Sequence, residues 1–520
     1  MFHPRRTLRA LLPPLVAGLT LTALPAPAAT AASTLTNAGF EAGGTGTATP
    51  AGWSESGDTH ASYTEAGGRD GGHRLAHWSA SAYRVETHQQ LTGLAAGDYR
   101  LTAWVRSGGG QNAAHLALRG CGGAEQRTDL PVSGSGWLRI VVPVTVTGGR
   151  CTVAVVSDAN AGNWINVDDL TFERGATAGL AVKGADISSL PKSEDRGGVY
   201  RTTSGTAADP LAVLRSAGMN HARVKVWVDP ADGYNDKAHV LALAKRVKAR
   251  GMKLLVDFHY SDAWADPGKQ NKPAAWAGHG YEQLRKDVYD HTHDVLNALK
   301  AQGTTADMVQ VGNEINGGML WDEGSTSNWA QLAGLLNAGH SAAKAVSPST
   351  SVALHLAEGG DRDGTRWWFD QAVSHGVRFD VIGLSYYGYW HGTLHDVQTT
   401  LDDTAARYGK PVFVAETAYP FRLDSEDGLE NIIDRESELV PGYPATPAGQ
   451  TRWMNDVASI VEAVPGGRGL GVFHWEATWT ARDGNGWDPA DPSSGNGWEN
   501  QALFDYQDRA LPAMEWFGHR

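Results

Sequence analysis

Met308–Asn316 reads MVQVGNEIN. An apolar run of Met308, Val309 and Val311 is broken only by Gln310, and it ends in Gly312, Asn313 and the carboxylate of Glu314. A short buried strand of this kind delivers its last side chains to the strand's C-terminal mouth. In α/β sheets, open or closed, that mouth is where ligands sit. Pro411–Tyr419, PVFVAETAY, repeats the design and ends on Glu416. The two glutamates lie about a hundred residues apart, so only tertiary structure can bring them together. A lone strand-end glutamate often caps a helix or pairs with an arginine. Two in matching contexts point to a pair of carboxylates working across a cleft.

Outward from these two stretches, apolar strand-like runs alternate with amphipathic ones. The runs are Ala181–Ile187, Ala222–Val228, Lys253–His259, Met308–Gly312, Ser351–His355, Val381–Ser385, Pro411–Ala415 and Gly471–Trp475. Between the second and third, Val240, Leu243, Ala244 and Val247 recur at helical spacing, and Arg250-Gly251 supplies a stop. Eight strands, each followed by a helix or a long loop, predict a (β/α)₈ TIM barrel over residues 180–520. A doubly wound open sheet is the runner-up, but no Gly-rich dinucleotide fingerprint follows the first strand.

A barrel would gather all eight strand exits at one face. Asp186 ends the first strand, and Arg223 and Lys225 lie in the second. Asp257, His259 and Asp262 close the third, Asn313 and Glu314 the fourth, His355 and Glu358 the fifth. Tyr386, Tyr387 and Trp390 follow the sixth, Glu416 and Tyr419 the seventh, Trp475 and Glu476 the eighth. Polar, acidic and aromatic residues thus cluster at strand exits and thin out at strand entries, an asymmetry that scattered salt bridges would not produce.

The N-terminal part has another texture. Arg5, Arg6 and Arg9, the apolar Leu11–Leu24 and the small-residue Ala29-Thr30-Ala31 read as a signal peptide over residues 1–31, implying secretion. The arginine pair is a weak twin-arginine signal beside the general export route. From residue 33 to 174, strand-like runs such as Tyr99–Val105, Leu138–Val146 and Cys151–Val156 are separated by Gly-rich breaks. They predict an all-β sandwich or jelly roll. Trp53, Tyr63, Trp78, Tyr83, Trp137 and Trp164 are candidate stacking residues, while Trp104, inside a strand, reads as core. Asp168 and Asp169 could hold a structural calcium or solvate a strand end. Cys121 and Cys151 are the only cysteines of the 520 residues, and in an exported chain they predict one disulfide. Residues 175–179 read as a linker.

The net charge of −13 argues against nucleic-acid or anionic-membrane partners. The 19 tryptophans offer flat faces on which sugar rings stack. Nucleophile-elbow, P-loop and HExxH motifs are absent, and the histidines do not show metal-ligand spacing.

The strings GADISSLP, DFHYSDAWADP, VGNEINGG, YYGYWHG and AETAYP resemble glycoside hydrolase family 53, the endo-β-1,4-galactanases of clan A. The resemblance spans residues 180–520. The opening LTNAGFEAG and the closing NWINVDDLTFE of the first domain resemble β-sandwich carbohydrate-binding modules. The first resemblance implies a retaining enzyme acting on the β-1,4-galactan of type I arabinogalactan, with Glu314 as acid/base and Glu416 as nucleophile. Arg223 and Tyr386 are then expected to donate to the nucleophile, and Asn313 to hold the sugar 2-hydroxyl. Asp186, His259, Asp262, His355, Trp390, Trp475 and Trp487 complete the expected substrate contacts. No cofactor is expected for the chemistry. A structural Ca²⁺ is expected on Asp427, the Leu429 carbonyl, Asn431, the Asn496 carbonyl and Glu499. Leu429 and Ser425 depart from the family's pattern there. A polysaccharide partner and a monomer complete the expectation. The competing readings are another clan A endo-glycanase, such as a mannanase or xylanase, and a catalytically inactive polysaccharide-binding protein.

Overall fold

The computed structural model describes residues 35–46, 48–175 and 179–519. The signal-peptide reading and most of the linker reading lie outside them. The first domain has ten strands: β1 (Ser54–Gly57), β2 (Ser62–Ala66), β3 (His73–Trp78), β4 (Tyr83–Thr92), β5 (Gly97–Ser107), β6 (Ala113–Arg119), β7 (Gln126–Asp129), β8 (Leu138–Val146), β9 (Arg150–Ala159) and β10 (Trp164–Arg174). They form two antiparallel sheets in the orders β1-β4-β9-β6-β7 and β2-β3-β10-β5-β8. Alternation sends Leu101, Ala103 and Val105 of β5, and Leu116 and Leu118 of β6, into one apolar core. A disulfide joins Cys121 to Cys151. Closing that loop contributes about 3–4 kcal/mol by the chain-entropy argument.

The second domain is a closed parallel barrel of β11 (Val182–Asp186), β12 (His221–Val226), β13 (Lys253–Phe258), β14 (Met308–Val311), β15 (Ser351–Leu356), β16 (Val381–Ser385), β17 (Val412–Thr417) and β18 (Gly469–His474). Around it run α1 (Leu190–Asp195), α2 (Pro210–Ala217), α3 (Lys237–Ala249), α4 (Tyr281–Ala301), α5 (Trp329–Val346), α6 (Arg362–Ser374), α7 (Leu394–Tyr408) and α8 (Pro447–Glu462). The ring closes through pairing of β11 with β18, which rules out the open sheet. Outward residues such as Val224, Val256 and Val309 join the helix layer. Inward ones make two storeys. The floor is apolar: Val182, Leu255, Met308, Ala353, Val381, Phe413 and Phe473 pack together. Above it stand Asp186, Arg223, Asp257, Gln310, His355 and Ser385, all buried. A barrel interior filled in this way is a foundation for its upper rim.

The two domains are in contact. The Arg139 guanidinium makes a fork of 2.7 and 2.8 Å on Asp402 of α7 and donates to the Ala463 carbonyl at 3.0 Å. Gln398 exchanges two hydrogen bonds with the Arg139 backbone. His395 Nδ1, in the first turn of α7, is 2.8 Å from the Trp137 carbonyl, and the Val132 N–H donates to the Tyr443 hydroxyl at 3.2 Å.

Candidate active site

After β14 the chain turns sharply: Gly312 has φ 82° and Glu314 has φ 48°. A side chain on Gly312 would collide with Ile315. A positive φ at a glutamate costs about 1–3 kcal/mol and is tolerated where function fixes geometry. Here it raises Glu314 above the rim of the barrel. Glu416 arrives by a different device. Phe413 and Ala415 already point to the floor, so plain alternation would turn Glu416 outward. The pairing of β17 slips against both neighbours, between Leu384 and Ser385 on one side and between Val414 and Thr417 on the other. The irregularity re-aims Glu416 into the mouth. One oxygen of each glutamate and one ring nitrogen of His355 lie within 4.8 Å of one another.

Arg223 supports the centre from below. Its guanidinium reaches Glu416 at 2.8 Å, Asp186 at 3.0 Å, Asp257 at 2.8 Å and the Asn313 amide oxygen at 2.8 Å. Against the cost of burial, Asp257, Glu416 and Asp186 hold it fully charged. Tyr387 donates to the second oxygen of Glu416 at 2.9 Å. Burial and the charge of Glu416 keep that phenol protonated. Glu314 receives a different support. Ser385 donates to it at 2.6 Å, His355 Nε2 stands 2.8 Å from Ser385 Oγ, and Gln310 Nε2 stands 2.8 Å from His355 Nδ1. Burial holds His355 well below its ordinary value, so it is neutral. The amide nitrogen of Gln310 can only donate, so the His355 proton sits on Nε2 and is given to Ser385. Both ring nitrogens are thereby engaged in hydrogen bonds.

The two carboxyl groups differ in their electrostatics. Desolvation and the neighbouring Glu416 push Glu314 up to about 8. Desolvation also raises Glu416, to about 7, but Arg223 and Tyr387 oppose the rise. Glu314 therefore keeps its proton while Glu416 is the first of the two to ionise.

Aromatic side chains wall the cleft. Trp264 stacks on Trp479 with centroids 5.8 Å apart and meets Trp475 edge-on at 5.8 Å. Trp475 meets Trp498 at 4.7 Å, and Trp498 meets Tyr387 at 5.4 Å. Lys225 lies over Trp264 at 4.2 Å. The wall ends in two open rings, Trp390 at the sixth exit and Trp487 in the eighth, 51% and 48% exposed.

The structure corrects one expected contact, Tyr386, and gives several others partners within the protein. Tyr386 is fully buried, stacks on Trp453 and donates to the Gly392 carbonyl. Ser385 points inward, so the residue after it must point outward and the next inward, which makes Tyr387 the donor to Glu416. Asp262 is a loop brace, accepting from the Asp229 N–H at 2.9 Å and the Ala274 N–H at 2.7 Å. Asp186, His259 and His355 sit beneath the cleft, as supports of Arg223, Asp257 and Ser385. Asn313 spends its oxygen on Arg223 and one amide proton on the Ala265 carbonyl, which leaves the other proton to give. Gln310, Ser385, Trp264 and Trp479 join the site without having been marked as site residues by the sequence. The first two stand one barrel step below the exits, where period-2 alternation could have found them.

In the first domain, Trp53 and Tyr83 are core, and Trp104 is not. Trp104 lies on the outer face between the guanidinium groups of Arg69 and Arg139. Asp168 is buried and accepts from the Arg69 and Asp169 N–H groups.

The expected calcium ligands meet between the last two exit loops. Glu499 accepts from the Glu426 N–H at 2.5 Å, while its other oxygen and the Asn431 amide oxygen are buried without a partner. Burial pushes Glu499 up to about 7. Asp427 spends its oxygens on the Leu429 and Asn496 N–H groups. The Asn496 carbonyl accepts from the Glu499 N–H. Two orphaned buried oxygens, one of them a carboxylate's, are a donor set that fits a hard cation.

The profile of Glycosyl hydrolase family 53 matches residues 182–517. An uncharacterized protein of Niallia circulans is 44% identical over 341 residues, which cover 64% of this chain and 92% of that protein. An endo-β-1,4-galactanase of Bacillus subtilis (strain 168) is 35% identical over 370 residues, 65% of this chain and 85% of its own. The solved family 53 catalytic domain of Ignisphaera aggregans superposes with a TM-score of 0.63 at 40% identity, covering 66% of this chain and 98% of that one.

Proposed function

The chain belongs to Glycosyl hydrolase family 53, and on that premise we propose that it is a retaining endo-β-1,4-galactanase acting on the galactan of type I arabinogalactan. The supporting observation is the pair Glu314 and Glu416, with an oxygen of each within 4.8 Å of the other. Retaining enzymes hold their carboxyl groups about 5–5.5 Å apart, and inverting ones leave room for a water.

In this reading Glu416 attacks the anomeric carbon as Glu314 gives its proton to the departing glycosidic oxygen. A covalent galactosyl ester forms on Glu416. Glu314, now ionised, takes a proton from water, and the ester is opened with a second inversion. Arg223 and Tyr387 keep Glu416 ionised and aimed, and both recover their full interaction with it as the ester breaks. The Ser385–His355–Gln310 chain fixes the rotamer of Glu314. The free amide proton of Asn313 meets the sugar 2-hydroxyl, a contact that strengthens as charge develops on the ring. An aromatic wall running from Trp390 round to Trp264 and Trp487 favours cutting within a chain.

Reducing-end release from potato galactan, with none from mannan or xylan, is the expected result. Release from mannan or xylan alone would overturn the substrate, and no release at all would favour the binding-protein reading. Early proton NMR should show β-anomers; α-anomers would mean inversion and a different use of Glu416.

We further propose a structural Ca²⁺ on Glu499 and Asn431, with the Leu429 and Asn496 carbonyls and Asp427 around it. The ion would tie the last two exit loops together and take no part in the chemistry. A thermal midpoint that chelator leaves unmoved would count against it. Residues 1–31 are read as an export leader, so secreted protein should begin after Ala31. The sandwich is read as a polysaccharide-binding module and the enzyme as a monomer, the latter checked by light scattering. Among the described residues no helix is long and apolar enough to cross a membrane.

A further inference from the structure

β8 is an edge strand, with β5 on one side only. An edge leaves backbone N–H and C=O groups without strand partners. Here the outward set is Arg139, Val141 and Pro143, which stand opposite Trp104, Thr102 and Arg100. The Val141 carbonyl accepts from the Thr128 hydroxyl at 2.8 Å, and Pro143 has no N–H to leave open. Arg139 is served from the other domain. Its N–H donates to Gln398 Oε1 and its carbonyl accepts from Gln398 Nε2, both at 2.7 Å. A glutamine on a helix thus pairs with the edge as another strand would.

His395, Gln398 and Asp402 recur at helical spacing and share one face of α7. His395 Nδ1 is 2.8 Å from the Trp137 carbonyl, and because a carbonyl only accepts, that nitrogen carries the proton. Gly136 lets the helix approach, since a Cβ there would stand 2.6 Å from that of His395. Asp402 takes the Arg139 fork, with the two side chains only 14% and 23% exposed. A bidentate pair fixes orientation as well as distance.

A second contact lies between β7 and β8 on one side and the loop after β17 on the other. The Val132 N–H donates to the Tyr443 hydroxyl at 3.2 Å, and Arg452 donates to the Leu130 carbonyl at 3.3 Å. Tyr443 is buried and carries the contact inward. Its hydroxyl donates to Asp456 at 2.6 Å, and its carbonyl accepts from the Tyr419 hydroxyl at 2.6 Å. Tyr419 stacks on Trp453 at 5.2 Å, and Trp453 Nε1 donates to Thr417 Oγ1 at 3.1 Å. Thr417 is the residue after Glu416.

Among the described residues, the hydrogen bonds that cross between the domains all end on residues 395–463 of the barrel. Those residues belong to two of the eight exits. The seventh carries Glu416. The sixth carries Tyr387, the phenol that donates to Glu416, in the loop that runs directly into α7.

We propose that the sandwich is part of the catalytic framework, with Arg139 and Tyr443 as positioning residues that fix the exits carrying Tyr387 and Glu416. The proposal rests on the galactanase reading and needs no sugar on the sandwich. A displacement of about 1 Å at a reacting group can cost about 100-fold in rate. Slack at α7 would move the Tyr387 hydroxyl off Glu416. Losing a donor to the charged form raises the carboxyl's pKa, so the nucleophile would ionise later.

The test uses the full-length chain, with galactotetraose and potato galactan as substrates. Arg139→Ala and Tyr443→Phe should each lower kcat/KM about fivefold or more, and by the same factor on both substrates. The inhibition constant of galactobiose, which reads binding alone, should stay within about twofold. The acid limb of kcat/KM should move to higher pH by about half a unit. Arg139→Lys keeps the charge without the fork and should fall between Arg139→Ala and the parent. Gln90→Ala, exposed on the opposite sheet, should change nothing. Assays run well below each variant's thermal midpoint, and Tyr443→Phe, which removes a single oxygen, carries the test if Arg139→Ala melts early. A lowered midpoint with unchanged kcat/KM would make the interface a stability contact and overturn the proposal. A loss confined to galactan would overturn it too, because the interface would then serve a grip on the polymer. An unmoved acid limb would remove Tyr387 and Glu416 from the route. Failure of the parent to digest galactan would instead overturn the activity on which the proposal rests.

Discussion

Two arginines, Arg223 inside the barrel and Arg106 on the outer face of the sandwich, are built in opposite ways. Arg223 is 1% exposed and has its donors taken by Asp186, Asp257, Asn313 and Glu416. Arg106 sits between two tryptophans with no acceptor among the described residues. A reaction centre must hold its charges in place before substrate arrives, because reorganisation during the reaction costs rate. A binding platform for a neutral polymer needs the reverse, donors left unspent.

The largest break in this comparison removes the anion that Arg223 serves. Glu416→Ala should lower turnover of galactan by a factor of about 10⁴ or more, as loss of a covalent nucleophile does. Azide, entering the vacated space, should restore cleavage and give a galactosyl azide of α configuration, read by NMR. An azide product of β configuration would assign the nucleophile elsewhere.

A smaller break separates two neighbouring tyrosines. Tyr387→Phe deletes one hydrogen bond to a charged group, worth about 1.5–3 kcal/mol, so kcat should fall roughly 10- to 150-fold. Tyr386→Phe deletes a bond to the Gly392 carbonyl and should cost about 1 kcal/mol of stability with little change in kcat. If the two variants behaved alike in turnover, the placement of Tyr387 on the nucleophile would fail.

The pair also sharpens a pH comparison. The charge of Glu416 is one of the reasons Glu314 holds its proton up to about 8. Replacing that charge in Glu416→Gln should lower the Glu314 value, because a neutral neighbour no longer opposes ionisation. Carbon NMR of labelled glutamate side chains checks the direction, and an upward shift would contradict the coupling. In the active enzyme the alkaline limb of kcat/KM should follow loss of the Glu314 proton, and the acid limb should follow protonation of Glu416.

These tests touch residues of unequal legibility. The barrel could be read because its strands are continuous apolar runs of about the right number, and each observed strand falls within two residues of its expected place. Glu314 and Glu416 could be read because each ends such a run. What could not be read is where side chains turn after the strand stops. Tyr386 and Tyr387 are adjacent and chemically identical, and only the inward orientation of Ser385 decides between them. Glu416 itself points inward through a slip in pairing that leaves no mark in PVFVAETAY. In the sandwich, Trp104 reads as core because it lies inside a strand. Yet its neighbours Ala103 and Val105 hold the inward positions, and strict alternation would have placed it outside. Asp262 follows a strand exit, and its carboxylate serves backbone N–H groups of the overhanging loops, a demand that the sequence does not display.

The smallest expected effect belongs to Trp487, the barrel's counterpart of the open tryptophans on the sandwich. Its ring is half exposed, and its position is fixed through its carbonyl, which accepts from Trp264 Nε1 at 2.7 Å. Trp487→Ala therefore leaves the loop's anchor in place and removes only a stacking surface. One exposed aromatic contact is worth about 1 kcal/mol, a few-fold in affinity for the sugar it covers. Far from the glutamates, that loss should shift the lengths of the oligosaccharides released from galactan while kcat on long chains changes less than threefold. Chromatography of the digest reads it directly. An unchanged length profile would place Trp487 outside the path of the chain, leaving the wall to end at Trp264. A collapse of kcat would mean that the loop, rather than the ring, had been disturbed.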